Sequence, residues 1–276
     1  MLGYRHLSSV HTPFFSRERD EIVNTLTISL IAFGCIFGGT LLGMFLRTMV
    51  PKDHVSDESR DGLKLGIGML ATLTALVLGL LISSAKGSFD RINNGLIDTG
   101  SQIILLDRVM AQYGPETKEV RHHLRRGVAS AIEQIWPEER TGQTEAEFLD
   151  RRATFETVQD ELLRLSPQND AQRWLQSQAL GVTRDITKTR WLLVEQKEHS
   201  SLPMPFLVML VSWLVILFFS FGLLSRRNVT VIVIFLICAL SSAGSLYLIQ
   251  ELDRPYGGLI KVSSASLRTA LAYLGQ

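Results

Sequence analysis

The chain has 276 residues, of which 46% are hydrophobic, and its 28 basic and 27 acidic side chains leave a net charge of +1. This balance includes no basic stripe of the kind that binds nucleic acid, so we expect no nucleic-acid partner. Cys35 and Cys238 form no CxxC pair, which excludes a disulfide framework.

Four segments contain no charged residue, and each is long enough to cross a bilayer. They are residues 22–46, 65–85, 200–225 and 228–250. About 20 apolar residues, rising 1.5 Å each, span a hydrocarbon core of roughly 30 Å. The sequence therefore predicts an all-α, multi-pass membrane protein with four transmembrane helices in two hairpins.

The predicted organisation places a helical domain between the two hairpins. The parts are an N-terminal segment at 1–24, hairpin one at 25–84 (spans about 25–47 and 63–85), a helical cytoplasmic domain at 85–201, hairpin two at 202–250 (spans about 202–225 and 228–250) and a tail at 251–276. The tail contains a short amphipathic helix, which we expect to dock on the helical domain or to lie at the membrane interface.

The first span carries two pairs of glycines spaced four apart, Gly34 with Gly38 and Gly39 with Gly43. Small residues at this spacing let two helix backbones approach closely in lipid. The partner could be the second span, which we favour, or a neighbouring subunit. A short polar loop at 51–61 is predicted to join the first two spans.

The second span continues past the membrane as one helix, predicted over 62–113. An apolar seam with 3-4 spacing follows it out of the bilayer through Phe89, Ile92, Leu96, Thr99, Ile103, Leu106, Met110 and Tyr113. The same seam passes back through Ala85, Ile82, Leu78, Ala75, Ala71 and Gly68. Such spacing is typical of a packing face. If the long helix breaks, Gly87 is the position where we expect the break.

Three further helices are predicted in the middle of the chain. Gly114-Pro115 ends the long helix and starts another, which stops near Trp136-Pro137. A capping box over 144–147 begins the next helix, and Ser166-Pro167 begins the last one. Their apolar seams predict an antiparallel bundle.

Basic residues favour a cytoplasmic location for both termini and for residues 85–201. Ten flank the spans on that side: Arg17, Arg19, Lys86, Arg91, Lys188, Arg190, Lys197, Arg254, Lys261 and Arg268. Six flank them on the other side: Arg47, Lys52, Arg60, Lys64, Arg226 and Arg227.

The sequence contains no motif of an enzyme. It has no P-loop, HExxH or nucleophile elbow, and His122 and His123 point to different sides of a helix with no further ligand at metal-binding spacing. We therefore expect no catalysis, no cofactor and no metal site.

The spans also lack the intramembrane charge with which ion-coupled transporters usually hold their coupling ion. A channel needs no such charge, because apolar side chains can form its constriction. The candidate pore-lining residues of the second span are Thr72, Leu76, Gly79, Leu80 and Ser83. The alternative is that these residues pack against other helices.

Two stretches resemble a known family. The first runs from Ala71 to Arg91 and ends in the exit from the second span, Phe89-Asp90-Arg91. The second runs from Glu251 to Ser263 after the fourth span and includes Glu251, Asp253, Arg254, Pro255, Tyr256 and Gly257. Both are similar to the bestrophin-like bacterial membrane proteins, which are distantly similar to bestrophin anion channels. Spacing and span count agree over nearly the whole chain.

The resemblance implies a homo-oligomer in the lipid bilayer of the bacterial inner membrane that conducts chloride or other small ions. Glu251, Asp253 and Arg254 would form an ion-paired hinge at the membrane exit. Bestrophins proper are pentamers whose second span lines the pore, and they hold calcium partly with acids after a Pro-Phe-Gly element. Here Tyr256 replaces that Phe, and no acid follows in the next residues.

A hypothesis from another class is a non-conducting membrane sensor or scaffold. Its long second helix would couple the membrane to the cytoplasmic bundle, and the bundle would bind a partner.

Overall fold

A computed structural model describes residues 14–49, 57–136, 154–199, 204–225 and 227–276. Every regular element in these ranges is helical. The helices are α1 (Phe14–Met49), α2 (Asp57–Tyr113), α3 (Lys118–Ile135), α4 (Thr154–Arg164), α5 (Asp170–His199), α6 (Met204–Leu224), α7 (Val229–Leu252) and α8 (Ala265–Tyr273), with a 3-10 turn at Pro115–Thr117. The predicted capping box at 144–147 lies outside the described residues.

Four helices are long and apolar enough to cross a membrane. The spans are Thr25–Met49 of α1, Pro205–Leu224 of α6, Val229–Leu252 of α7 and a part of the segment Asp61–Tyr113 of α2. This confirms the prediction of an all-α membrane protein with four spans.

The chain divides into two compact units. The membrane unit comprises Met1–Phe89 and Ser201–Lys261, and the helical unit comprises Asp90–Ser200 and Val262–Gln276. Helix α2 is continuous through both, with 57 residues and a length of about 86 Å at 1.5 Å per residue. It does not break at Gly87.

In the membrane unit, α1 packs tightly against α6 through glycines. A Cβ atom at Gly43 would overlap the backbone of Phe219, and one at Gly222 would overlap the backbone oxygen of Thr40. The Gly39–Gly43 pair therefore packs on the third span, and our favoured assignment to the second span is wrong for it. The spacing of small residues identifies a contact face but not the helix that covers it. Gly34 and Gly38 have no described atom within 4 Å of an added Cβ.

The packing face of α2 within the membrane unit differs slightly from the predicted seam. Ile67, Thr74 and Ala85 are buried, whereas Gly68 and Ala75 are exposed. A straight helix with 3.6 residues per turn drifts ~20° per heptad from a 3.5-residue seam. Over the turns that precede Ala85, this drift moves the buried positions by one residue.

The core of the helical unit consists of apolar residues from α2, α3, α4 and α5. Ile92, Leu96, Ile103, Leu106, Met110 and Tyr113 of α2 are buried, as are Val120, Leu124 and Val128 of α3, Val158 and Leu162 of α4, and Leu175, Ala179, Val182 and Ile186 of α5. Helix α8 packs against α3 and buries Leu267 and Ala270. The tail helix was expected either on the helical domain or at the membrane interface, and it lies on the helical domain.

Two predicted helix starts are corrected. Helix α2 begins at Asp57, so residues 57–61 are helical and not part of a loop. Helix α5 begins at Asp170, because the Asn169 side chain accepts a hydrogen bond from Gln172 N at 2.8 Å and acts as the cap in place of Ser166.

Candidate pore face and membrane-exit segment

All five candidate pore-lining residues lie on the exposed side of α2. Thr72, Gly79 and Ser83 are exposed, and so are Leu76 at 60% and Leu80 at 62%. The buried positions of the same helix, such as Thr74 and Ala85, occupy the opposite side. The structure therefore places the five residues on one continuous strip that the other described residues leave exposed.

The strip consists of apolar, small and hydroxyl-bearing residues. Thr72 Oγ1 donates to the backbone oxygen of Gly68 at 2.9 Å, so its hydroxyl is satisfied within the helix. No charged residue occurs between positions 65 and 85. Such a surface offers an ion no strong binding group, and any constriction along it would act through the bulk and wettability of its leucines.

The residues at the exit from the second span have different environments. Phe89 is partly buried and packs against a cluster that contains Ala85, Ile249 and Leu252. Lys86 Nζ lies 5.5 Å from the centre of the Phe89 ring. Asp90 is partly buried, and Arg91 is exposed.

Near the end of α7, Glu251 is buried with 2% of its surface exposed. Its Oε1 atom accepts hydrogen bonds from the backbone N–H groups of Leu259 and of Ile260, the latter at 3.3 Å. Gly258 has φ of +100°, and a Cβ atom there would overlap the Glu251 carboxylate. A glycine is thus required at this position both for the backbone conformation and for the space.

Polar residues near the end of α7 also contact α1. Arg254 Nη1 donates to Thr25 Oγ1 at 2.6 Å, and Gln250 Nε2 donates to Ser29 Oγ at 3.4 Å. Thr25, Ser29 and Gln250 are buried, and none of them was predicted from the sequence. Their polar character inside otherwise apolar spans was the available sign, because a buried polar group in lipid needs a partner.

The remaining residues of the predicted hinge lie in the turns that follow. Pro255 is buried, Asp253 and Gly257 are partly buried, and Gly257 N donates to the backbone oxygen of Arg254 at 3.3 Å. Burial raises the pKa of Tyr256 to about 12. Ion pairing among Glu251, Asp253 and Arg254 stays a prediction.

The helical unit contains an ion pair with a buried carboxylate, which was not predicted from the sequence. The two oxygens of Asp107 accept from Arg121 Nε at 2.7 Å and Nη2 at 2.8 Å. Oδ2 also accepts from Gly275 N at 3.4 Å. The hydrogen bond to Asp107 raises the pKa of the Arg121 guanidinium.

A second contact joins α3 to α4, where His123 Nδ1 lies 2.7 Å from Glu161 Oε1. Within the described ranges, no three His, Cys, Asp or Glu side chains gather where they could hold a metal ion.

A family model for the bestrophin-like domain matches residues 34–267. The chain belongs to the bestrophin-like family. This confirms the resemblance found in the sequence. No curated protein matches this bestrophin-like chain at a significant level.

Several crystal structures share the fold of this bestrophin-like chain. One of a bacterial bestrophin homolog from Klebsiella pneumoniae has 15% identity and a TM-score of 0.60, covering 94% of this chain and 100% of that one. Another structure of a homolog from that organism has 14% identity and a TM-score of 0.61, with 93% and 96% covered. A protein described only as a membrane protein has 12% identity and a TM-score of 0.64, with 89% and 97% covered.

Proposed function

We propose that this protein is a homo-oligomeric ion channel of the bestrophin-like type whose pore is lined by α2. The observation that carries the proposal is the uncovered strip formed by Thr72, Leu76, Gly79, Leu80 and Ser83. A strip that its own subunit leaves uncovered is available to line a pathway between copies. Chloride and other small anions are the expected ions, in keeping with bestrophin anion channels.

Leu76 and Leu80 form the narrowest part of the proposed pathway. They are the bulkiest side chains of the strip, and 60% and 62% of their surfaces are exposed in the subunit. When rings of leucine from several copies lie close together, water would leave the space between them and ions could not pass. When the rings move apart, water and ions would enter.

The test uses purified protein in liposomes with separate halide-flux and cation-flux assays. We expect halide flux above that of empty vesicles and little cation flux. Leu76→Trp and Leu80→Trp should remove most of the flux, because the larger ring obstructs a leucine constriction. No flux in either assay, across pH and voltage, would refute the channel.

A matched control comes from α7, where Leu240 is also 62% exposed. Leu240→Trp should leave the flux unchanged if Leu80 faces a pore and Leu240 does not. Equal loss of flux in Leu80→Trp and Leu240→Trp would show that tryptophan disturbs the membrane unit in general.

We propose that the protein lies in the bacterial inner membrane with both termini and residues 85–201 in the cytoplasm. The excess of basic residues on that side supports this orientation. Labelling of single cysteines in intact cells by a membrane-impermeant reagent tests it. Exposed positions of the helical unit, such as Trp174→Cys, should stay unlabelled until the membrane is opened.

One observation favours the alternative of a non-conducting scaffold. Two tryptophans of α5, Trp174 at 62% and Trp191 at 67%, are exposed, and exposed tryptophans are enriched at protein interfaces. A stoichiometric partner that is lost in Trp191→Ala, together with intact cellular function in Leu76→Trp and Leu80→Trp, would favour the scaffold.

A further inference from the structure

The segment that follows the fourth span is hydrogen-bonded to a carboxylate of α7. Glu251 is the last but one residue of α7, and its Oε1 atom accepts from the N–H groups of Leu259 and Ile260. The contact spans eight residues to Leu259. We propose that this Glu251 clasp, the carboxylate with the two N–H groups, holds the segment in place without any divalent cation.

The composition of the clasp accounts for its stability. A carboxylate that accepts backbone N–H groups forms charge-assisted hydrogen bonds, which are roughly twice as strong as neutral ones. Only 2% of the Glu251 surface is exposed, so water competes little for these bonds. Gly258 lets the backbone reach the carboxylate, because it adopts a positive φ and has no Cβ atom to collide with the acid.

The residues of the segment do not fit the calcium ion that bestrophins proper bind. Calcium takes six to eight oxygen ligands, several of them carboxylates. Here the positions after Gly257 are Gly258, Leu259, Ile260 and Lys261, which supply no carboxylate. The Oε1 atom of Glu251 is directed at two N–H groups, whose partial positive charges would repel a cation.

Proteolysis after Lys261 tests the clasp locally. A lysine-specific protease that needs no calcium cleaves this bond only when the segment opens, and mass spectrometry detects the fragment that begins at Val262. In the wild-type protein, we expect slow cleavage at the same rate with calcium or with a chelator. Slower cleavage after Lys261 with calcium than with a chelator would overturn the proposal.

Variants test the carboxylate itself. Glu251→Ala should accelerate cleavage after Lys261 by about tenfold or more, as expected for the loss of hydrogen bonds to a charged group. Glu251→Gln, which keeps an acceptor oxygen without the charge, should give a smaller acceleration. Glu119→Ala, at an exposed acid of α3, is the control and should leave the rate unchanged.

An unchanged rate in Glu251→Ala would contradict the proposal. The calcium comparison needs the wild-type chain alone, so it decides the matter even where a variant does not fold. None of these measurements uses ion flux, and their outcome is therefore distinct from that of the channel test.

Discussion

The carboxylate of Asp107 illustrates how a single residue organises the helical unit. It pairs with Arg121 of α3 through two hydrogen bonds and also accepts from Gly275, beyond the end of α8. Its side chain is 2% exposed and that of Arg121 is 19% exposed. Removal of one partner from such a pair leaves an uncompensated charge at a largely buried site, which is costly.

We predict that Asp107→Asn lowers the stability of the protein by about 3 kcal/mol, which corresponds to a fall in Tm of about 6 °C or more. Thermal unfolding in detergent measures this. The control is Asp61→Asn, which breaks the ion pair between Asp61 and Lys64. The Asp61 side chain is 73% exposed and the Lys64 side chain is 61% exposed. That variant should show no measurable shift, and equal shifts in both would contradict the prediction.

Tyr256 gives a prediction about pH. Burial raises its pKa from 10.0 to about 12 in the folded protein, so the folded state holds the phenol proton more tightly than the unfolded state. This contribution to stability is fully present below pH 10 and is lost as pH rises through 12, in total about 3 kcal/mol. Tyr256→Phe should therefore lose less stability than wild type in this range.

Thermal unfolding of both proteins between pH 9 and about 11.5 measures the difference, and Tyr273→Phe at an exposed position is the control. If plots of Tm against pH were parallel for wild type and Tyr256→Phe, titration of the Tyr256 phenol would make no contribution to stability in this range.

Residue burial was predictable where a regular period governs it. Ile92, Leu96 and Ile103 are buried as their spacing indicated. The partners of Glu251 were not predictable, because they are backbone groups brought near by turns and by a positive φ at Gly258. A hydrophobic pattern contains no information on such turns.

Among the elements, α1 and α6 approach each other closely at Gly43 and Gly222. Because Gly222 faces the backbone of Thr40, we predict that Gly222→Val forces the helices apart and costs about 1–3 kcal/mol. Thermal unfolding should show the loss. Gly38→Val is the control, since an added Cβ at Gly38 meets no described atom within 4 Å; a larger loss in Gly38→Val than in Gly222→Val would contradict this packing.

Helix continuity was predictable for α2, and helix pairing was not. The apolar stretch and the seam after it indicated one helix, and the structure confirms it from Asp57 to Tyr113. The pairing of the first span with the third depends on three-dimensional packing of several helices, which four-residue spacing alone does not specify.

For the whole molecule, the number of subunits is the decisive property for the proposed function. A pore lined by one strip per subunit requires several copies around an axis. We predict that the protein purified in mild detergent is a closed homo-oligomer by light scattering or native mass spectrometry. A monomer under conditions that preserve its helicity would contradict the proposed pore.

The four-span architecture followed from the sequence because the bilayer fixes the length and polarity of a span. Membership of the bestrophin-like family followed from the residues near Phe89 and Pro255 and is confirmed over residues 34–267. The strip near Leu80 could be located by helical phase, and the structure shows it exposed. Ion passage along it would depend on contacts between copies, which the helical phase of one chain does not reveal.

The unbroken course of α2 has a mechanical consequence. Hydrogen bonds along an unbroken helix resist twisting, so a rotation of its membrane half about the long axis would be passed on toward Tyr113. One alanine inserted between Lys86 and Gly87 would turn Ile92 by about 100° relative to Ala85, whereas four would turn it by about 40°. We predict greater loss of stability and flux from the single insertion; equal losses would show that angular register along this rod is unimportant.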